Sequence, residues 1–174
     1  VGTLCFQNKH SANFMLGVCD IFQTFPSFVY LIPVMMLFGI TDTSVLIAVI
    51  VYATIPATRY TIEGLRSVPA GLHDAATMSG VNKFQRLTKI EFPLAFPHMM
   101  LGINQTIVFA LFMVIIGAFI GTEDLGQYIL KALSDKKGAG IGLTLGICVA
   151  FIALIFDNLI RAYVQKRKKH LGID

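Results

Sequence analysis

Residues 74–93, with the sequence DAATMSGVNKFQRLTKIEFP, are polar and charged, yet long apolar stretches flank them on both sides. An apolar stretch of about 20 residues is long enough to cross the hydrocarbon core of a membrane as a helix. A charged block between two such stretches predicts an amphipathic hairpin at the membrane surface, where a partner protein can dock. Within the block, Gly80 follows Ala76 after three residues, and Ile90 follows Gly80 after nine.

Composition indicates a polytopic membrane protein. Hydrophobic residues make up 55% of the chain and charged residues only 14%, whereas soluble domains contain about 25% charged residues. The mean hydropathy is +0.72. We therefore predict an all-α fold with four apolar spans, at residues 13–40, 44–62, 97–121 and 141–163.

Prolines and glycines predict local features of these spans. Pro26 and Pro33 lie inside the long first span, and each removes one backbone hydrogen bond, so a bend is expected there. The fourth span opens with glycines at four-residue spacing, which predicts a smooth stripe for close helix packing. Packing within the bundle is the favoured interpretation, and a contact between two copies of the chain is the alternative. These glycines are Gly138, Gly142 and Gly146.

The distribution of basic residues predicts the orientation in the membrane. Eleven of the fourteen lysines and arginines fall on one side of the predicted spans, and three lie in the loop between the third and fourth spans. Because cytoplasmic loops carry the excess of positive charge, residues 74–93 and the C-terminus are expected in the cytoplasm. Residues 122–140 then form an external loop, in which residues 125–133 are predicted to be a short amphipathic helix. This helix either helps to receive the substrate or only caps the bundle.

No arrangement typical of an enzyme or a metal site is present in the sequence. The four histidines are scattered, and no nucleophile with its base and no phosphate-binding glycine loop can be drawn. We therefore expect no catalytic activity, no metal and no cofactor in this chain. Cys5, Cys19 and Cys148 lie in or beside apolar segments and are expected as small buried hydrophobic residues. The first residue, Val1, predicts a fragment that lacks an upstream part.

The spacing of the polar block resembles a motif of ABC-importer permeases, E-A-A-x3-G-x9-I-x-L-P, through which the permease docks onto its ATPase. Asp74 replaces the glutamate of that motif and Phe92 replaces the leucine. The resemblance implies that the ATPase-coupling residues are Asp74, Ala75, Ala76, Gly80, Ile90 and Pro93.

Three further segments, residues 23–33, 63–69 and 102–106, resemble permeases for glycine betaine, proline betaine and choline. The similarity extends from about residue 20 to residue 157. It implies a single N-terminally truncated permease domain over residues 1–174, with a cytoplasmic coupling segment at 63–96. The implied fold is a type I ABC-importer core with about four complete transmembrane helices and the end of another.

The same resemblance implies the partners and the location. Two permease copies, as a homodimer, would lie in the inner membrane as multi-pass subunits. Two cytoplasmic ATPase subunits would bind ATP and Mg²⁺, and an external substrate-binding protein would deliver the solute. No nucleic acid is expected as a partner.

The residues also predict how the polar block transmits motion. We expect a helix over residues 70–79, a tight turn at Gly80 and a second helix to Ile90. Pro93 should end that second helix and direct the chain into the third span. Small side chains at Ala75 and Ala76 would allow a partner to approach the backbone closely.

Polar and aromatic side chains inside the spans are candidates for the translocation path, because buried polar groups in a membrane are costly and aromatic rings attract quaternary ammonium groups. The alternative is that the amides bond between helices and the aromatic rings pack the core. A local ion pair is expected among Asp157, Asn158 and Arg161. The path candidates are Gln23, Thr24, Phe25, Phe28, Tyr30, Asn104 and Gln105.

Together these features predict a permease subunit that imports glycine betaine or a related quaternary amine used as a compatible solute under osmotic stress. One alternative is an ABC permease for another small solute, such as an amino acid or a sulfonate. Another is a secondary transporter that needs no ATPase. Its hallmark would be charged relays buried at the middle of the membrane, and the sequence shows none there in the second to fourth predicted spans.

Overall fold

The computed structural model describes residues 2–3, 8–121, 125–134 and 138–171, and the regular elements in these ranges are helical. A short 3₁₀ turn, Ala118–Ile120, follows the fifth helix. The helices are α1 (Lys9–Thr24), α2 (Phe28–Phe38), α3 (Asp42–Arg66), α4 (Ala70–Met78), α5 (Lys83–Gly117), α6 (Leu125–Ser134) and α7 (Ala139–Leu171).

Three of these helices are long and apolar enough to cross a membrane. They are α3, α5 and the part of α7 at Gly140–Lys169, and the bent pair of α1 and α2 supplies a fourth if it is counted as one span. The all-α, polytopic fold class is therefore confirmed. The predicted second and fourth spans lie inside α3 and α7. The first and third predicted spans run a few residues past the ends of α2 and α5, and α5 begins fourteen residues before Pro97.

The bend predicted in the first span lies at Pro26. The axes of α1 and α2 meet at 91°. Phe25, at the junction, has extended backbone angles (φ −72°, ψ 136°), because the ring of a proline disfavours helical angles in the residue before it. Pro33, in contrast, lies inside α2 without interrupting it.

Close packing of α3 against α5 forms the centre of the bundle. Two glycines, one on each helix, make this approach possible. A Cβ atom added to Gly64 would lie 2.8 Å from the Cβ of His98, and one added to Gly102 would lie 2.7 Å from the Cβ of Tyr60. Because both distances are far below van der Waals contact, any larger side chain would push the two helices apart.

The buried core lies nearer the N-terminal end of α3, away from Gly64. Helices α1, α2 and α5 also contribute to it. Its members are apolar apart from the Tyr30 hydroxyl, and they interdigitate across all four helices. They are Cys19, Tyr30, Leu31, Val45, Ala48, Ile55, Met113 and Ile116.

The loop between the third and fourth spans contains the predicted amphipathic helix, which is α6. It packs on the start of α7, and the glycine stripe explains part of this contact. A Cβ atom at Gly138 would lie 2.5 Å from the Ala132 carbonyl oxygen, whereas one at Gly146 would meet no atom within 4 Å. The stripe therefore packs α6 only at its first two glycines, Gly138 and Gly142.

The prediction of three buried cysteines is wrong for Cys148. Cys19 is buried in the core, but Cys148 is exposed, as are most residues in the membrane-spanning part of α7. Cys5 lies outside the described residues.

Candidate functional site

The polar block folds into a helical hairpin, residues 70–93, whose first arm is α4. Pro69 precedes α4 with extended angles (φ −57°, ψ 135°), and the helix ends at a glycine turn. Gly80 has φ +71°, an angle that glycine adopts at little cost. The Gly80 amide donates to the Thr77 carbonyl and the Val81 amide to the Ala76 carbonyl, which together are the two hydrogen bonds of a Schellman motif. The predicted helix and tight turn are confirmed.

A reciprocal cap starts the second arm immediately after this turn. The Asn82 side chain accepts a hydrogen bond from the Gln85 amide (2.8 Å), and the Gln85 side chain accepts one from the Asn82 amide (3.2 Å). This capping box satisfies two backbone donors that a helix start leaves free. It fixes the direction in which α5 leaves the turn.

The prediction that Pro93 ends the second arm is wrong, because α5 continues without a break from Lys83 to Gly117. A π turn, Leu87–Glu91, precedes the proline, and the Phe92 amide bonds to the Leu87 carbonyl five residues back. In a regular α-helix the ring of Pro93 would clash with the carbonyl four residues earlier. The wider turn gives the ring room. The hairpin is therefore joined directly to the third span by one helix.

An open groove of about 450 Å³ lies between the two arms of the hairpin. Four of the six motif residues line it, namely Ala75, Ala76, Ile90 and Pro93. Ala76 is buried, whereas Ala75 is exposed. Asp74 and Gly80 are also exposed but do not line the groove.

Large apolar side chains of the hairpin face solvent. The exposed fractions are 89% for Met78 and 73% for Phe84, and Leu72 at the groove is 40% exposed. Exposed apolar residues on a polar segment outside the spans indicate a protein interaction surface. These three residues were not predicted from the sequence, although they lie beside the motif.

A buried carboxylate lies where the two arms meet. Glu91 is 2% exposed, and its Oε1 atom is 3.1 Å from Nδ1 of His73 and 2.9 Å from Nε of Arg86. The N–H group at Arg86 Nε is not oriented to donate a hydrogen bond to the carboxylate. The pair is therefore held by the attraction between the two charges. A buried charge without such partners would be strongly destabilising.

The path candidates at the α1–α2 bend have separate environments. Gln23 accepts a hydrogen bond from Arg59 (2.8 Å), and the Thr24 hydroxyl donates to the Ile21 carbonyl (2.7 Å). Phe25 and Phe28 are both exposed. Phe25 lies against Phe22, with 6.3 Å between ring centroids, and Phe28 meets the edge of Phe119 at 5.9 Å.

Tyr30 belongs to the core of the bundle. It is 7% exposed, its hydroxyl donates to the Phe22 carbonyl, and its ring lies 5.2 Å from that of Tyr52. Tyr52 in turn stacks on Phe109 at 4.9 Å. These aromatic contacts connect α1, α2, α3 and α5, as expected for the alternative in which the aromatic residues pack the core.

The candidates on α5 lie at a different place, where Asn104 contacts the last span. Asn104 is buried, and its Nδ2 donates to Oδ1 of Asp157 (2.5 Å), while its own Oδ1 has no hydrogen-bond partner among the described residues. Nε of Arg161 lies 2.8 Å from Asp157, which confirms the expected local ion pair. Asn158 instead bonds to the Leu154 carbonyl. Gln105, the neighbour of Asn104, is half-buried.

The structure also shows a polar network that sequence reasoning missed. Arg59 on α3 contacts Asp20 of α1 at 2.7 Å, Glu63 at 2.9 Å and the Gln23 side chain. Only the Arg59–Glu63 pair, four residues apart on one helix, carried a local signal. The network attaches α1 to α3.

Comparisons with known proteins agree with this arrangement. The profile of the family described as "Binding-protein-dependent transport system inner membrane component" matches residues 1–169. The chain is 91% identical, over 99% of its length, to the trimethylamine N-oxide transport system permease protein TmoV of Pelagibacter ubique, and 47% identical over its whole length to that of Ruegeria pomeroyi. It is 36% identical, over 93% of its length, to the glycine betaine/proline betaine permease ProW of Escherichia coli.

The chain spans 24% and 26% of the length of the two trimethylamine N-oxide permeases and 46% of the length of ProW. Among solved structures, the MetNI methionine ABC transporter in inward-facing conformations matches with a TM-score of 0.79 at 18% identity, over 92% of this chain and 77% of that one. At this identity the match supports the fold alone. The matching family consists of membrane components of transport systems and not of enzymes. The chain belongs to the family of binding-protein-dependent transport system inner membrane components.

Proposed function

We propose that this chain forms part of the membrane-spanning subunit of an ATP-driven importer for small methylated zwitterions. The hairpin of residues 70–93 carries this proposal. It lies between two membrane-spanning helices, presents exposed Met78 and Phe84, and continues without a break into the third span. A partner that moves the hairpin therefore moves a transmembrane helix.

The partner proposed for the hairpin is a cytoplasmic ATPase, which binds the ATP and Mg²⁺. Because the hairpin and the C-terminal end of α7 carry most of the basic residues, both are placed in the cytoplasm. The external helix α6 would then face the substrate-binding protein. A second permease copy, forming a homodimer, would complete the path between the membrane leaflets.

The proposed solute belongs to the class of trimethylamine N-oxide and glycine betaine. The relatives at 91% and 47% identity are named for the first compound, and ProW, at 36%, for the second. Both molecules carry a methylated, positively charged nitrogen and a negatively charged oxygen, so they have no net charge. The greater identity favours trimethylamine N-oxide, which modifies the expectation of glycine betaine from the sequence.

The path candidates keep distinct proposed roles. Phe25 and Phe28, being exposed, can present aromatic faces to a methylated cation. Asn104 and Gln105 would contribute amide groups near the last span. The bend between α1 and α2 would be held in place by the hydrogen bonds of Gln23, Thr24 and Tyr30 that are described above.

Uptake by the full-length permease, reconstituted in proteoliposomes with its ATPase and binding protein, tests this function. We expect ATP-dependent accumulation of radiolabelled trimethylamine N-oxide, and slower accumulation of glycine betaine. Methionine and taurine should not accumulate, since neither carries a methylated nitrogen. Liposomes without ATP are the control.

Two results would contradict the proposal. Accumulation of methionine or taurine without either methylated solute would refute the proposed solute class. Equal accumulation with and without ATP would refute the ATP-driven mechanism and favour a secondary transporter.

A further inference from the structure

The junction between the hairpin and the third span contains a buried charge that docking alone does not require. Glu91 is the one carboxylate among the fully buried side chains that the structure describes. It occupies the last position of the π turn in α5, between half-buried Ile90 and exposed Phe92. Taking a carboxylate out of water is costly, so a buried one needs compensating partners.

Both partners of Glu91 belong to the hairpin. His73 lies on α4, the first arm, and Arg86 lies in the first turns of α5. The three side chains therefore connect the arm that would touch the ATPase to the helix that enters the membrane. His73 brings an imidazole nitrogen to 3.1 Å from the Glu91 carboxylate, and Arg86 brings a guanidinium nitrogen to 2.9 Å from it.

Few other contacts hold α4 in place. Its packing against the remaining helices is sparse, and Ala76 is its one buried residue. The turn at Gly80 fixes where the chain reverses direction after α4. A turn alone, however, leaves the angle between the two arms free to change. His73 and Glu91 are eighteen residues apart along the chain, and His73 lies towards the end of α4 that is away from the Gly80 turn. Their contact can therefore fix the angle between the two arms.

We propose that Glu91 is a positioning residue, which holds α4 at a fixed angle to α5 through His73 and Arg86. A displacement of α4 then moves the third span as one body with it. If α4 moved alone, the carboxylate would lose a partner while it stayed buried, and this cost opposes separate movement. The inference rests on the proposed function, because it specifies how the hairpin transmits the motion of an ATPase.

The Glu91→Gln variant of the full-length permease, assembled with its ATPase and binding protein, tests this role. Glutamine keeps the shape of the side chain and removes its charge. We expect normal association with the ATPase and continued ATP hydrolysis, but solute imported per ATP should fall about ten-fold, a size typical of a lost coupling interaction. Unchanged import per ATP, or a complex that fails to assemble, would overturn the proposal.

Two further variants separate this effect from general loss of charge. Asp20→Asn removes a carboxylate that also pairs with an arginine but is exposed and lies on α1, so import per ATP should stay normal. Arg86→Gln should reduce import per ATP, and the Arg86→Gln/Glu91→Gln double variant should be no worse than Glu91→Gln alone. Additive losses would show that the two residues act independently, against the proposal.

A distance measurement keeps this test separate from that of the transport function. Spin labels at Thr77 on α4 and Thr88 on α5, two exposed positions, report the angle between the arms in a permease without native cysteines. Glu91→Gln should broaden the distance distribution, and Asp20→Asn should not. If the wild-type complex imports nothing, the proposed function fails, yet an unbroadened distribution in Glu91→Gln would still refute the positioning role.

Discussion

Replacing Gly64 with valine should lower the free energy of unfolding by about 3 kcal/mol, the upper range for overpacking a tightly packed site. The new Cβ would lie 2.8 Å from the Cβ of His98 and 3.1 Å from the Ala95 carbonyl oxygen. Because both neighbours are backbone or attached directly to it, they cannot rotate away, and α3 must separate from α5. Unfolding of the purified full-length permease by denaturant, followed by circular dichroism, measures the loss.

Gly17→Val is the matched control for this substitution. Gly17 is also a helical glycine, but a Cβ atom there would meet no atom within 4 Å. Its replacement should therefore change stability by less than about 1 kcal/mol, since valine and glycine have similar helix propensities. Equal losses in the two variants would contradict the close approach of α3 and α5.

Replacing Gly80 with valine should reduce ATP-dependent uptake about ten-fold or more while membrane insertion stays intact. The turn needs φ +71° at this position, and a β-branched residue held there is strained by roughly 1–3 kcal/mol. That strain is large beside the sparse contacts that hold α4. Co-purification of the ATPase with the variant, together with uptake in proteoliposomes, measures the effect.

Gly80→Asn separates strain from loss of the glycine itself. A Cβ atom at Gly80 meets no atom within 4 Å, so space is not the constraint, and asparagine adopts positive φ far more readily than valine. The asparagine variant should retain most of the uptake. If the valine variant associated with the ATPase and transported solute as well as the asparagine variant does, the turn would not matter for coupling.

The features that could be predicted from sequence depend on local chemistry or on composition. The spans follow from long apolar runs, the bend follows from Pro26, and the tight turn follows from Gly80, which three residues separate from Ala76. Each needs only a few neighbouring residues to be recognised. The family motif supplied the proposed function of the hairpin, but its groove and its exposed apolar residues became visible only in three dimensions.

Pro93 illustrates why the remaining features could not be predicted. A proline normally ends or kinks an α-helix, so the helix was expected to stop there. The π turn that carries α5 past Pro93 depends on a hydrogen bond between Phe92 and Leu87, and a five-residue bond leaves no simple periodic signal in the sequence.

Contacts between residues that are far apart along the chain could not be predicted from the sequence either. Glu91 is a charged residue between the apolar Ile90 and Phe92, a pattern typical of an exposed position. Its burial depends on His73, which lies on the other arm. Asn104 was recognised as costly in a membrane, but its partner Asp157 lies 53 residues away. Which faces line a path depends in addition on the proposed second permease copy, so the path residues stay a proposal.

Photo-crosslinking from Met78 tests most directly whether the hairpin docks onto an ATPase. Met78 is 89% exposed on α4, and Tyr128 on α6 is 62% exposed. With a benzophenone amino acid at Met78 in the assembled complex, we expect a product with the combined mass of permease and ATPase. The same probe at Tyr128 should yield no such product, because α6 is assigned to the opposite side of the membrane. An ATPase crosslink from Tyr128 but not from Met78 would contradict the account.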